Sequence, residues 1–313
     1  MSTQSAPVQL SAASWPALSL ASWTDTRDTL HMLTQIVGKT RLALAPMVNH
    51  WWQVALYVTE RGLTTSGMPY GGGTAAVDFD FIDNDVVIRT DAGAMRTIPL
   101  IARPVREFYA EYLDALHSLK IGARIRGVPV EVETAIPFAE DTRHASYDAE
   151  AVNRWWRATA QADRVLKVFR GRFEGKASPV HFFWGSFDLA ATRFSGRAAP
   201  VHPGGAPNCP DYVMREAYSR ECSSAGFWPG SGTQEAAFYS YSYPEPEGYS
   251  ASPILPADAY YDGAMREFIL PYESVRSSPS PDDVLLAFLQ STYEAAANRA
   301  GWDRVSLERT VHP

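Results

Sequence analysis

Cysteine is scarce. The 313 residues hold two, Cys209 and Cys222, too few for a disulfide framework, so a reducing cytoplasm is the expected location. Long apolar runs are missing, and none approaches the roughly 20 residues of a membrane-crossing helix. The opening stretch MSTQSAPVQLSAAS has neither a basic start nor an apolar centre, which argues against a secretory signal. Positive charge is thin: Lys and Arg number 28 against 35 Asp and Glu, for a net charge of −7. The densest basic group, around Arg164 to Lys176, reads as the solvated face of a helix, so no nucleic-acid surface is expected. There is no nucleophile elbow, Walker loop, dinucleotide fingerprint, H-E-x-x-H or C-x-x-C motif. His202, Cys209 and Cys222 match no zinc spacing, so no metal site is assigned. The tract YGGGT at 70–74 leads into a strand rather than a helix, and so reads as a hairpin loop without a phosphate-binding helix terminus.

What the chain has in quantity is aromatic rings: 9 Trp, 15 Tyr and 14 Phe. With 46% hydrophobic and 20% charged residues, it has the composition of a soluble globular protein long enough for a well-filled core. SWPALSLASWTDT predicts an ordered arm, because its two tryptophans are costly to leave in water. A helix is predicted over 27–37, ended by Gly38. A strand over 50–61 follows, then strands in AAVDFDFIDN, DVVIRTD and AMRTIPL, and an amphipathic helix after Pro104. ARIRGVPVEVET predicts an edge strand interrupted by Pro129. Asp148 caps a long helix reaching about Phe173. A strand over 180–195, a Pro/Gly-rich stretch, strands in AAFYSYSY and GAMREFILPY, and a helix from Pro281 complete the chain.

Both halves pass the same landmarks in one order. Gly38-Lys39 matches Gly175-Lys176, His50-Trp51-Trp52 matches His181-Phe182-Phe183, and Gly93-Ala94-Met95-Arg96 matches Gly263-Ala264-Met265-Arg266. The expected fold is therefore α+β: an internally duplicated unit of helix, antiparallel strands and helix, its halves packed about a pseudo-twofold axis. The expected division is an arm and first repeat over 1–126, a connector over 127–149, and a second repeat over 150–313 with a long loop insertion at 195–232.

HFFWGSFD at 181–188 resembles NHWWQVAL at 49–56. Alternation along one continuous strand would put Phe182, Trp184, Ser186 and Asp188 on one face, a mix of rings and polar groups like the wall of a ligand cleft. Trp51 and Tyr57 would make the matching face in the first half. On this reading His181 or Asp188 is the base and Arg193 anchors an anion. Trp51, Tyr57, Trp184, Ser186 and His50 bind substrate, and His202, Glu216 and Glu221 contribute from the 195–232 loop, long enough to be a functional lid. Each has a plain structural alternative: Asp188 as an ion-pair partner, His50 and His181 as donors to backbone carbonyls.

The segments WPALSLASWTDTRDTLHMLTQIVGKTRLALAPMVNHWW, SPVHFFWGSFDLAATRFSGR, MREAYSRECSSAGFWPG and FLQSTYEAAANRAGW resemble, over nearly the whole chain, the DUF5996 family of uncharacterised bacterial proteins. The resemblance implies a complete bacterial unit and carries no activity or site residue with it. The leading functional expectation is a cytoplasmic, cofactor-independent small-molecule enzyme using acid–base chemistry in an aromatic-lined cleft. A non-catalytic small-ligand binder is the second expectation, and a haem or metal protein using His50, His181 or His202 is the third. Neither nucleic acid nor membrane is an expected partner, and no oligomeric state is assigned.

Overall fold

The structure is a computed structural model and describes residues 15–309; the tail read as lacking a signal, 1–14, lies outside the described residues. Helix α1 spans Thr24–Leu44 and overruns the predicted 27–37 segment at both ends. Gly38 does not stop it. A Cβ there would lie 2.2 Å from the Trp184 indole, so this glycine serves close packing rather than termination. The helix is buried almost all round, polar residues included, and several of those residues find partners across the core. Gln35 exchanges two hydrogen bonds with the backbone of Val130, each 2.8 Å, and Thr40 accepts from the Tyr112 hydroxyl at 2.9 Å.

The first sheet is antiparallel and contains β1 (Tyr57–Val58), β2 (Gly62–Thr64), β3 (Met68–Tyr70), β4 (Gly73–Asp80), β5 (Asp85–Thr90) and β6 (Met95–Pro99). Its order is β1-β2-β4-β5-β6, with β3 also paired to β4. Val77 and Phe79 point into the core. Asp78 and Asp80 point outward to Arg89 and Arg61, the alternation expected of a half-buried sheet. Helix α2 (Val105–Ser118) follows Pro104 as predicted.

The predicted strand over 123–134 is absent: this stretch is irregular. Pro129 supplies no ladder donor, and Glu131 sits at φ 57°, which no extended strand accommodates. Hydrogen bonds to Gln35 hold the stretch against α1.

Helix α3 (Ala149–Gly171) begins where Asp148 accepts from the backbone N–H groups of Glu150 and Ala151. The second antiparallel sheet contains β7 (His181–Phe183), β8 (Asp188–Ala198), β9 (Arg220–Trp228), β10 (Ala237–Tyr243), β11 (Tyr260–Asp262) and β12 (Glu267–Pro271), with the short helix α4 (Asp211–Ala217) between β8 and β9. Its order is β11-β12-β10-β9-β8-β7. Helices α5 (Tyr272–Arg276) and α6 (Pro281–Arg299) follow. The protein is thus α+β, with two antiparallel sheets and their helices. The edges of the sheets meet at Leu56 and Phe182, which exchange backbone hydrogen bonds of 2.9 and 2.8 Å.

Three expectations need correction. The 180–195 strand is a hairpin, because Phe187 adopts φ 62° and turns the chain after β7. Its ring is fully buried and stacks on Trp155 at 4.9 Å. The 50–61 strand is largely a 3-10 turn, Asn49–Val54, in which His50 and Trp51 both have left-handed backbone angles. The 195–232 segment is no loop insertion, since it includes β9, an interior strand of the second sheet. Ser223, Ser224, Ala225 and Gly226 gave β9 too little apolar signal to be recognised.

The second sheet positions the site. Phe227, Phe238, Phe268 and Leu270 are buried on one of its faces, where α3 and α6 pack. The other face floors a cleft.

Candidate functional site

Alternation along β10 and β12 builds the cleft floor. Phe238 and Leu270 face the helices, so Tyr239, Tyr241, Glu267 and Ile269 face the opposite way, and these four border a cavity of about 570 Å³. Asp188, at the start of β8, and Ser186, in the turn before it, form another wall, and Glu131 closes the cavity from the irregular stretch after α2. Among the described residues, five acidic side chains line the cavity, Glu131, Asp188, Glu235, Asp262 and Glu267, and no Lys, Arg or His does.

Asp188 is tethered by two hydroxyl groups. It is buried, and it accepts from the Ser186 hydroxyl on Oδ1 and from the Tyr239 hydroxyl on Oδ2. Burial raises its pKa, and the two donors partly offset that. Tyr239 crosses Gly226 to reach it: a Cβ at 226 would lie 2.4 Å from the phenol oxygen and 1.9 Å from the Leu189 carbonyl oxygen. Burial holds the Tyr239 phenol well above its ordinary pKa, so it remains a donor.

Glu131 is placed by three neighbours. Gln35 fixes Val130, the Glu131 N–H donates to the Pro207 carbonyl at 2.7 Å, and bare Gly185 leaves room for the carboxyl group, which would meet a Cβ there at 2.1 Å. Crowding by protein, then the charge of Asp188, push the Glu131 carboxyl up to about 7, while Lys39 pulls the other way. Glu131 keeps exposed surface at the open mouth of the cleft, so solvent moderates this shift; crowding and a like charge set its direction. Half-buried Glu267 is also pushed up to about 7, by desolvation and then by Asp188 and Asp262. Lys39 stands behind Glu131, buried, with its Nζ 5.5 Å from the Trp184 ring centre. Desolvation brings it down to about 8.

Of the residues singled out in the sequence, Asp188 and Ser186 line this cleft. His181 lies elsewhere, among Trp52, Tyr57 and Phe183, with both ring nitrogens unpartnered; burial lowers its pKa to about 3. Arg193 is no anion anchor in this cleft. Its guanidinium is buried 3.5 Å from the Phe169 ring centre and 4.3 Å from that of Tyr293, and it donates to the Phe169 carbonyl. Hairpin formation removed the single alternation that had grouped Trp184 with Asp188; Trp184 instead packs on Gly38 and donates to the Val54 carbonyl at 2.8 Å.

Trp51 contacts Tyr212, and Tyr57 shares a separate cavity with His181. His50 bonds the Ala217 carbonyl through Nδ1 at 2.9 Å and takes a bond from Lys176 on Nε2 at 2.9 Å, leaving no ring lone pair for a haem iron or metal. His202 accepts from the Gly204 N–H and stacks on Tyr218. Glu221 pairs with Arg197 at 2.7 Å, and Glu216 lies half-buried on α4. Among the described residues, no three His, Cys, Asp or Glu side chains are arranged to hold a metal ion.

The DUF5996 family model, described as a family of unknown function, matches residues 15–309. The chain belongs to the DUF5996 family. No curated protein and no solved structure matches it. In this DUF5996 chain the residues missed in the sequence are Glu131, Glu267, Tyr239, Tyr241 and Lys39. Period-two alternation in AFYSYSY and EFILP carried a signal for the two tyrosines and Glu267. Nothing local marked Glu131, which tertiary contacts bring into place.

Proposed function

We propose that the protein is a small-molecule enzyme working by general acid–base chemistry in the acidic cleft, on a substrate bearing an amine. One observation carries this reading: Glu131 and Glu267 face one cavity and both have raised pKa values, that of Glu267 about 7. A carboxyl group that titrates near neutrality can both give and take a proton at useful rates. Asp188, tethered by Ser186 and Tyr239, is the charged brace that opposes ionisation of both. Five acidic walls with no basic one favour a cation over an anion, and the tyrosine rings add cation–π attraction.

The test is to incubate the purified protein with a mixture of amine metabolites and follow it by NMR. A compound consumed by the wild type and left intact by Glu267→Gln supports the enzyme reading. A compound whose signals broaden with both proteins while neither consumes it favours the second reading, a binding protein using the same cleft. If no amine is consumed or bound, both readings lose their substrate class.

Internal duplication is part of the same proposal. It is supported by the shared order of helix, antiparallel strands and helix in the two halves, and by the meeting of their edge strands at Leu56 and Phe182. The Gly93 and Gly263 turns each precede the last strand of their sheet in chain order, β6 and β12, whereas Gly38 lies inside α1 and Gly175 lies beyond α3. A bacterial cytoplasm is the proposed setting, supported by two free thiols.

A further inference from the structure

A separate cavity, of about 270 Å³, has Arg41, Trp52, Tyr57, Pro179 and His181 among its walls. Arg41 and His181 are both at least nine-tenths buried. Nε and Nη1 of Arg41 and both ring nitrogens of His181 have no hydrogen-bond partner, an unusual cluster of unmet donors and acceptors in one place. Among the described residues no acidic side chain lines the cavity, and Arg170 adds a second positive charge acting on His181. An independent feature adjoins it. His50 and Trp51 hold consecutive left-handed backbone angles, φ 63° and 61°, and this costly turn delivers Trp52 and Gln53 to the cavity wall. Such conformations persist where the surroundings over-determine them and gather at ligand sites.

We propose that this cavity is a second binding site, built for a small aromatic carboxylate. The carboxylate would meet the Arg41 fork, where paired N–H···O bonds are strongest, and His181 would supply a further donor. The flat body would lie against Trp52 and Pro179. The volume is near the lower end for ligand pockets, so a single-ring acid fits and a nucleotide does not. The unpartnered nitrogens expose almost no surface, so admission turns on the half-buried Tyr57 ring, whose centre lies 5.4 Å from the Arg41 guanidinium. This site is separate from the acidic cleft, and its test does not depend on the proposed activity.

The test titrates benzoate, benzamide and inorganic phosphate into the full wild-type chain, reading tryptophan fluorescence and the His181 imidazole resonances by NMR. The expected result is saturable benzoate binding with a Kd on the order of 1 mM or tighter, with His181 among the perturbed signals and benzamide at least ~10-fold weaker, about 1.4 kcal/mol. Arg41→Gln should weaken benzoate by a similar factor, and Trp52→Phe, which keeps a ring in place, should weaken it less. Equal binding of benzamide would overturn the role of Arg41. Phosphate binding without benzoate binding would overturn the aromatic ligand, and no saturation by benzoate in the folded wild type would overturn the site.

Discussion

Tyr239 donates to Oδ2 of Asp188 across a separation of 51 residues, and it can do so because Gly226, on the strand between them, has no side chain. The contact joins β10 to the start of β8 over the intervening β9, and it fixes the carboxylate that opposes ionisation of Glu131 and Glu267. Gly226→Ala should therefore destabilise the fold by about 1–3 kcal/mol, the usual cost of an overpacked site. Tyr239→Phe should cost about 1 kcal/mol, the worth of one hydrogen bond. Urea unfolding of both variants checks the ranking; an alanine as stable as the wild type would mean the phenol does not lie over residue 226.

Asp188→Asn should lower the raised pKa of both Glu131 and Glu267, the latter from about 7. The like charge that opposes their ionisation is gone, while their crowding remains. Carboxyl-carbon NMR across a pH titration reads both groups directly. If neither moves, the charge of Asp188 does not reach the two glutamates, and their shifts come from desolvation and, for Glu267, from Asp262.

Stability should depend on pH in two opposed ways. Glu267 titrates at about 7 folded and 4.5 unfolded, so between those values the folded chain binds more protons and stability falls as pH rises. His31 and His181 titrate at about 3 folded against 6.5 unfolded, so their contribution rises with pH from about 3 to 6.5. Comparing Glu267→Gln with the wild type isolates the first effect. Its stability relative to wild type should climb from pH 4.5 to 7 and then level off; a flat difference would show that Glu267 titrates normally.

Gly38→Ala sets two magnitudes against each other. Alanine favours the helix interior by about 1 kcal/mol. Its Cβ, however, would lie 2.2 Å from an indole held in place by its bond to the Val54 carbonyl, and relieving such a clash costs about 1–3 kcal/mol. The expected outcome is a lower Tm, and a higher one would show that Trp184 can retreat.

Sequence alone determined the class of the fold and most of its long elements. Helix α2 after Pro104, the capped start of α3 at Asp148 and the helix from Pro281 all stand where local signals put them, because amphipathic spacing and capping are decided within a few residues. The sequence also placed Asp188 and Ser186 in a polar cleft wall, although on a continuous strand that does not form. Tertiary structure decided the rest. The left-handed Phe187 is held by its buried ring on Trp155, and that turn carried His181 and Trp184 away from Asp188. Glu131 joined the site because Gln35, more than 90 residues earlier in the chain, binds the neighbouring Val130, the Pro207 carbonyl takes its N–H, and Gly185 leaves room for its carboxyl group. Arg193 lost its expected role to three aromatic rings from α3, the segment after it, and α6. Contacts of this length leave no periodic trace in the chain, since the partner that fixes each residue lies in a different element.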